Sequence, residues 1–222
     1  MTFSILARDA DGGFGMAVTS SSPCVAARCL QLRRGVGAVA SQNITDPRYG
    51  KQLLDALAGG NTAVQALERL VAEDTTSSYR QVCVIGESGG PVAHSGTNTL
   101  GVNHAALGDS AVAAGNLLSS QNVVDEVLAA FEATSGELEH RLLAGLEAGL
   151  AAGGEAGDLR SAGLAVVRDV DWYGTDLRVD WHETPIAELR NLVGIWMPER
   201  DNYVTRGINP SLAPAYGVPG DE

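Results

Sequence analysis

The chain has 222 residues, of which 45% are hydrophobic and 19% charged, an ordinary globular balance with enough length for one sizeable core. Its 27 acidic side chains against 15 basic ones leave a net charge of −12, which disfavours nucleic acid and anionic membrane as partners. No window of about eighteen apolar residues is present to span a bilayer. The opening residues also lack the charged and apolar regions of a secretory signal, so a cytoplasmic location is expected.

In chain order, residues 2–9 (TFSILARD) alternate like a strand, and Asp11-Gly12-Gly13 supplies a turn into a second strand over 14–20. A small, apolar run at 35–42 (GVGAVASQ) reads as a buried strand. Asp46-Pro47 is a cap-and-first-turn signal for a helix over 47–58 that ends at Gly59-Gly60. Asn61 caps a second helix over 61–74, with Ala63, Leu67, Leu70 and Val71 on one face. Strands over 80–86, 91–94 and 102–107 follow, separated by glycine-rich turns. Two more helices, 122–133 and 137–152, carry apolar residues at helical spacing, and the second closes on Gly153-Gly154. Strands over 161–168 and 176–182 and a helix over 185–196 complete the pattern. Residues 198–222, with Pro198, Pro210, Pro214 and Pro219, read as an irregular tail.

Grouped strands alternating with helix pairs predict an α+β fold of antiparallel sheets, layered helix–sheet–sheet–helix. With no composition break before residue 197, residues 1–197 form one domain and 198–222 a proline-rich extension.

The chemistry starts at Thr2. An initiator methionine is normally trimmed when the second residue is small, and loss of Met1 would place a hydroxyl and a free α-amine on one residue. That amine titrates at about 7.7–8.0 when unperturbed, so it can act as general base for its own hydroxyl. Because the first strand starts at once, the terminus is held by a sheet. Alternatives are sparse. Lys51 is the only lysine, which argues against Schiff-base chemistry. Cys24, Cys29 and Cys83 lack Cys-x-x-Cys spacing and read as free thiols of a reducing compartment. His94, His104, His140 and His182 are too dispersed for a three- or four-ligand metal site, so neither metal nor cofactor is expected.

Other candidates follow from type and position. Asn116, in the turn Ala114-Gly115-Asn116, can aim an uncharged N–H at a developing oxyanion; the plain reading is a turn residue. Ser20, Ser41, Gln42 and Asn43 cluster at the ends of two strands expected beside the first, where they could tune the amine or bind substrate. Arg178 and Asp180 share a strand face. Asp180 could steady an α-ammonium, and Arg178 could hold a substrate carboxylate, as could Arg160; surface ion pairs are the plain reading.

An ordered series of motifs supports a resemblance. TFSILARD at 2–9, GMAVTSS at 15–21, GVGAVASQ at 35–42, YRQVCVI at 79–85 and AHSG at 93–96 are followed by GNLL at 115–118 and AAGGE at 151–155. RSAGLAVV at 160–167 and RVDWHETPIAELR at 178–190 close the series. Over residues 2–193 the chain resembles the bacterial and archaeal family known as domain of unknown function 1028, and in architecture the N-terminal nucleophile (Ntn) hydrolases. Departures include Ala114, where the family usually has glutamine, and Trp181, where it usually has aspartate; both are expected in loops near strand ends. The resemblance implies an αββα Ntn-hydrolase-like fold, a catalytic Thr2, and places for Asn116 and His94 in the site. The expected activity is hydrolysis of a small-molecule amide, with a carboxylate on the substrate for an arginine to hold. A cyclohydrolase or isomerase without a covalent step, or a non-catalytic ligand-binding module, would suit the same scaffold. The apolar residues of the tail (Ile208, Leu212, Tyr216, Val218) need a surface, and a homodimer or dimer of dimers would supply one.

Overall fold

The computed structural model describes residues 2–220, so Met1, on whose removal the Thr2 chemistry depends, lies outside the described residues. Strand β1 (Thr2–Arg8) forms a hairpin with β2 (Phe14–Ser20), in register Phe3 against Thr19 and Arg8 against Phe14. A short helix α1 (Val25–Cys29) leads into β3 (Leu30–Arg33) and β4 (Gly37–Asn43). Helices α2 (Arg48–Ala58) and α3 (Ala63–Glu73) precede β5 (Arg80–Gly86) and β6 (Val92–Ser95). Next come β7 (His104–Leu107), β8 (Ala111–Asn116), α4 (Asn122–Ala133) and α5 (Leu138–Ala151). Strands β9 (Ser161–Val167) and β10 (Thr175–Val179) are followed by α6 (Pro185–Trp196) and α7 (Arg200–Ile208).

Two antiparallel sheets result, one ordered β10-β9-β2-β1-β8-β7 and the other β3-β4-β5-β6. Alternation along each strand divides the core into three layers. Phe3, Ile5 and Ala7 of β1 face outward against α4, α5 and α6. Leu6, Met16, Val18, Ala40, Cys83 and Val112 fill the space between the sheets. Val39, Val82 and Val84 face the other way, against Leu53, Leu54 and Leu67 of α2 and α3. The molecule is therefore the four-layer αββα sandwich of antiparallel sheets that the element order predicts, with β1 in the interior of the larger sheet.

Several local expectations change. Helix α2 begins one residue later than predicted, and the Asp46 carboxylate accepts the Arg48 N–H at 3.0 Å from ahead of it. Thr62, not Asn61, caps α3, in a reciprocal capping box with Gln65. Ala114 lies within β8 and packs between the sheets rather than in a loop. The tail read as irregular contains α7 and a 3₁₀ turn, Pro210–Leu212. Helix α7 buries none of its own residues and lies on its own domain through Arg200, which reaches Glu137 at 2.8 Å and the buried Glu139 at 3.3 Å. Tyr203 stacks on Trp196. Glu139 also accepts from Thr175 and Arg168. Burial pushes its carboxyl pKa up, but the Arg168 charge and these hydrogen bonds outweigh that and hold it below the ordinary value. No helix among the described residues is long and apolar enough to cross a membrane.

Candidate functional site

Strand parity puts the polar residues of three strands at one end of the gap between the sheets. Thr2 and Ser4 of β1, Ser20 of β2 and Asn116 of β8 all point inward, on the same face as Leu6, Val18 and Ala114. Thr2 lies opposite Asn116, and its Oγ1 is 3.3 Å from Ser20 Oγ. It is 6% exposed, while Ser4, Ser20 and Asn116 are fully buried. The second sheet contributes Gln42 from β4 and Gln81 from β5, both fully buried.

Ser4, Gln42, Gln81 and Asn116 form one network whose orientation is fixed by a backbone carbonyl, which can only accept. Gln81 Nε2 donates to the Gly115 carbonyl at 2.9 Å and to Ser95 Oγ at 3.0 Å. Its Oε1 therefore faces inward and accepts from Gln42 Nε2 at 2.8 Å and Asn116 Nδ2 at 3.1 Å. Gln42 Oε1 in turn accepts the Ser4 hydroxyl at 2.8 Å. The result is a neutral amide cluster that locks the Asn116 side chain beside Thr2 through one N–H and leaves its Oδ1 buried without a hydrogen-bond partner. Backbone strain adds to this: Leu117, next to Asn116, has φ 50°, a left-handed conformation that a leucine adopts only when its surroundings impose it.

A fourth wall comes from the loop after α5. Gly153 (φ 114°) and Gly154 (φ 57°) turn the chain through a conformation suited to glycine, and the loop docks on the segment after β8. Ser119 N–H donates to Gly154 O at 3.0 Å and Ala156 N–H to Leu117 O at 2.9 Å. Glu155, between them, pairs with Leu118, and its Oε2 accepts the Ser21 N–H at 3.2 Å. The residue is 6% exposed, and its Oε1 is buried without a hydrogen-bond partner. Burial pushes its carboxyl up to about 7, against the opposing pull of the chain's amino-terminal charge and the Ser21 hydrogen bond. Outside it lies a cavity of about 630 Å³ lined by Leu150, Glu155, Asp158, Arg160, Glu183 and the start of α6.

Of the residues singled out in the sequence, Thr2, Ser20, Gln42 and Asn116 meet here. Arg160 is close by, its N–H bonded to Ser20 O at 2.8 Å, and its guanidinium pairs with Asp158 at 2.8 Å in the cavity wall. The remainder are placed elsewhere. Ser41 points to the opposite face of β4 and accepts the Asp46 N–H at 3.2 Å. Asn43, left-handed at φ 69°, ends β4 by donating to Tyr79 O at 2.7 Å and accepting from Leu100 N at 3.2 Å. His94 is paired with Val82 on the outer face of the smaller sheet, 3.1 Å from Ser77 O. Arg178 and Asp180 are exposed at the β10 edge, three strands from β1, which is about 14 Å at ~4.8 Å per strand. Arg178 pairs there with Asp176 at 4.0 Å.

The sequence reading does not single out Ser4, Gln81 or Glu155. Ser4 is legible in hindsight, two residues after Thr2 on the same strand face, and Glu155 closes the AAGGE motif. Gln81, at the start of an otherwise apolar strand, carries only the signal of a polar residue at an inward position. Cys83 lies fully buried between the sheets, its thiol pushed up to about 12 by burial, so it is no nucleophile. No group of three or more His, Cys, Asp or Glu among the described residues is placed to hold a metal ion.

A model of the family of unknown function DUF1028 matches residues 2–189. The crystal structure of protein SPO2555 from Silicibacter pomeroyi, which carries the DUF1028 family model, is similar at a TM-score of 0.82 and 30% identity, covering 88% of this chain and 89% of that one. Anbu (ancestral beta-subunit) from Yersinia bercovieri matches at a TM-score of 0.41 and 10% identity, over 88% of this chain and 97% of that one. No curated protein matches the sequence.

Proposed function

The chain belongs to the family of unknown function DUF1028, and we propose that it is a cytoplasmic small-molecule amidohydrolase with Thr2 as N-terminal nucleophile. One observation carries the reading: Thr2, at the start of an interior strand, points into the gap between the sheets, with its hydroxyl 3.3 Å from Ser20 Oγ and Asn116 opposite. Thr2 is 6% exposed, whereas the first residues of most domains are poorly ordered unless tied down.

With Met1 removed, the Thr2 hydroxyl attacks the amide carbonyl and its proton passes to the α-amine. The tetrahedral oxyanion is held by the second N–H of the Asn116 amide, whose first N–H is anchored on Gln81. Collapse breaks the C–N bond, the α-ammonium returns its proton to the leaving nitrogen, and an acyl ester remains on Thr2. Water then attacks the ester while the amine accepts its proton; the Thr2 oxygen leaves and is reprotonated, and a carboxylic acid is released. The Ser20 hydroxyl orients that of Thr2, while Arg160 in the cavity wall is suited to a substrate carboxylate. We place the working form as a homodimer or dimer of dimers.

The test is a panel of amides, with and without carboxylates, assayed in parallel on wild type and Thr2→Ala. Turnover of at least one amide that disappears in folded Thr2→Ala is expected. Full turnover by that variant would refute the covalent mechanism.

A further inference from the structure

Strand β1 starts at Thr2 between two strands whose chains run on past it. From β2 the chain continues into Ser21 and Ser22, and from β8 into Leu117 and Leu118. The space between those continuations, just ahead of Thr2, is where a chain without Met1 carries its α-amine. Glu155 is fastened to both sides of that space, by its backbone pairing with Leu118 and by its Oε2 accepting the Ser21 N–H. A buried carboxylate oxygen with no partner is unfavourable, and Glu155 Oε1 is one. The other charged groups lining the adjoining cavity are Asp158, Arg160 and Glu183, and Arg160, the cation among them, is engaged by Asp158. What suits Glu155 is a cation or N–H donor arriving from the Thr2 side.

We propose that Glu155 is a positioning residue that holds the α-ammonium of Met1-free Thr2 and sets its affinity for the proton. This rests on the Thr2 reading above. The role expected of Asp180 thereby moves to a carboxylate held between the continuations of β2 and β8. Glu155 takes no proton in the cycle. Its charge favours the ammonium formed when the amine accepts the hydroxyl proton, and it orients the amine's lone pair toward Thr2 Oγ1 for the next turn.

The chain's single lysine makes a direct measurement practical. Reductive methylation with ¹³C-formaldehyde labels two amines, the α-amine and Lys51, and ¹³C NMR follows each through a pH titration. Intact mass on the same sample reports whether Met1 is present. In the wild type the α-amine midpoint is expected above the unperturbed ~7.7–8.0, and in Glu155→Gln lower by about one pH unit, with Lys51 unmoved. Glu155→Asp, which retracts the carboxylate by one methylene, should give a smaller fall. A wild-type midpoint at or below the unperturbed range, or midpoints that coincide in wild type and folded variants, would overturn the assignment. On Met1-free protein that result removes only the role of Glu155 and leaves Thr2 as nucleophile. Retention of Met1 removes both.

Discussion

Gln81 holds the amide cluster together, and its loss can be costed from its contacts. Replacing it with methionine preserves length and most of the volume but removes one acceptor and one donor group. Three buried groups then lose their partner: Gln42 Nε2, Asn116 Nδ2 and the Gly115 carbonyl. Gln42 and Asn116 are fully buried, so each group loses on the order of 1 kcal/mol or more. The total should be about 3 kcal/mol, well beyond the ~1 kcal/mol expected for Ser95→Ala, which removes a single bond to a partly exposed hydroxyl. Urea unfolding followed by circular dichroism measures both. A Gln42→Met/Gln81→Met double variant should lose less than the two singles combined, by about 1 kcal/mol, since they share a hydrogen bond. If Gln81→Met lies within about 0.5 kcal/mol of wild type, the cluster does not hold the sheets together as described, and the locked orientation of Asn116 goes with it.

Glu139→Gln should destabilise the protein at neutral pH by about 3 kcal/mol, because Arg168 and Arg200 lose their buried counter-charge. The folded pKa of Glu139 lies below its ordinary value, so its contribution is present above that value and lost as pH falls through the folded one. Stability of the wild type should therefore drop on acidification below about pH 4.5, and the variant should lack that part of the drop. Gly149→Val would put a Cβ 2.6 Å from Val127 Cγ2 and 2.8 Å from Phe3 Cε2. A cost of about 1–3 kcal/mol in denaturant is expected, together with slower modification of Thr2, since Phe3 adjoins it on β1. Sedimentation at micromolar concentration should show a dimer or larger; a monomer would end the assembly proposal.

How much of this was legible in the chain depends on whether the signal was local. The β1–β2 hairpin announces itself, because TFSILARD alternates and Asp11-Gly12-Gly13 turns it. Strand β8 does not: AVAAGN has few strand-favouring side chains and is held extended by β1 and β7 on either side. The side chain of Asn116 is therefore legible as a candidate donor, whereas its place in a strand is not. Gln42 was legible as a strand end, whereas its partner Gln81 comes from a distant element and can be matched to it only by the stacking of two sheets. The same parity that brings Gln42 inward sends Ser41 and Asn43 away, a distinction that a cluster of polar residues at a strand end does not reveal. Glu155 is not legible from its neighbours because its partners, Ser21 and Leu118, are more than thirty residues away. The tail helix escaped notice because it has no apolar stripe; Arg200 and stacked aromatic rings fasten it.

The central claim is that Thr2, freed of Met1, forms an acyl-enzyme. An electrophilic amide analogue added to purified protein, followed by intact mass and peptide mapping, tests it in one step. The account predicts a chain lacking Met1 that gains one adduct, on Thr2, and no adduct in Thr2→Ala. A catalytically active chain that still carries Met1, or an adduct on Cys24 in place of Thr2, would contradict it.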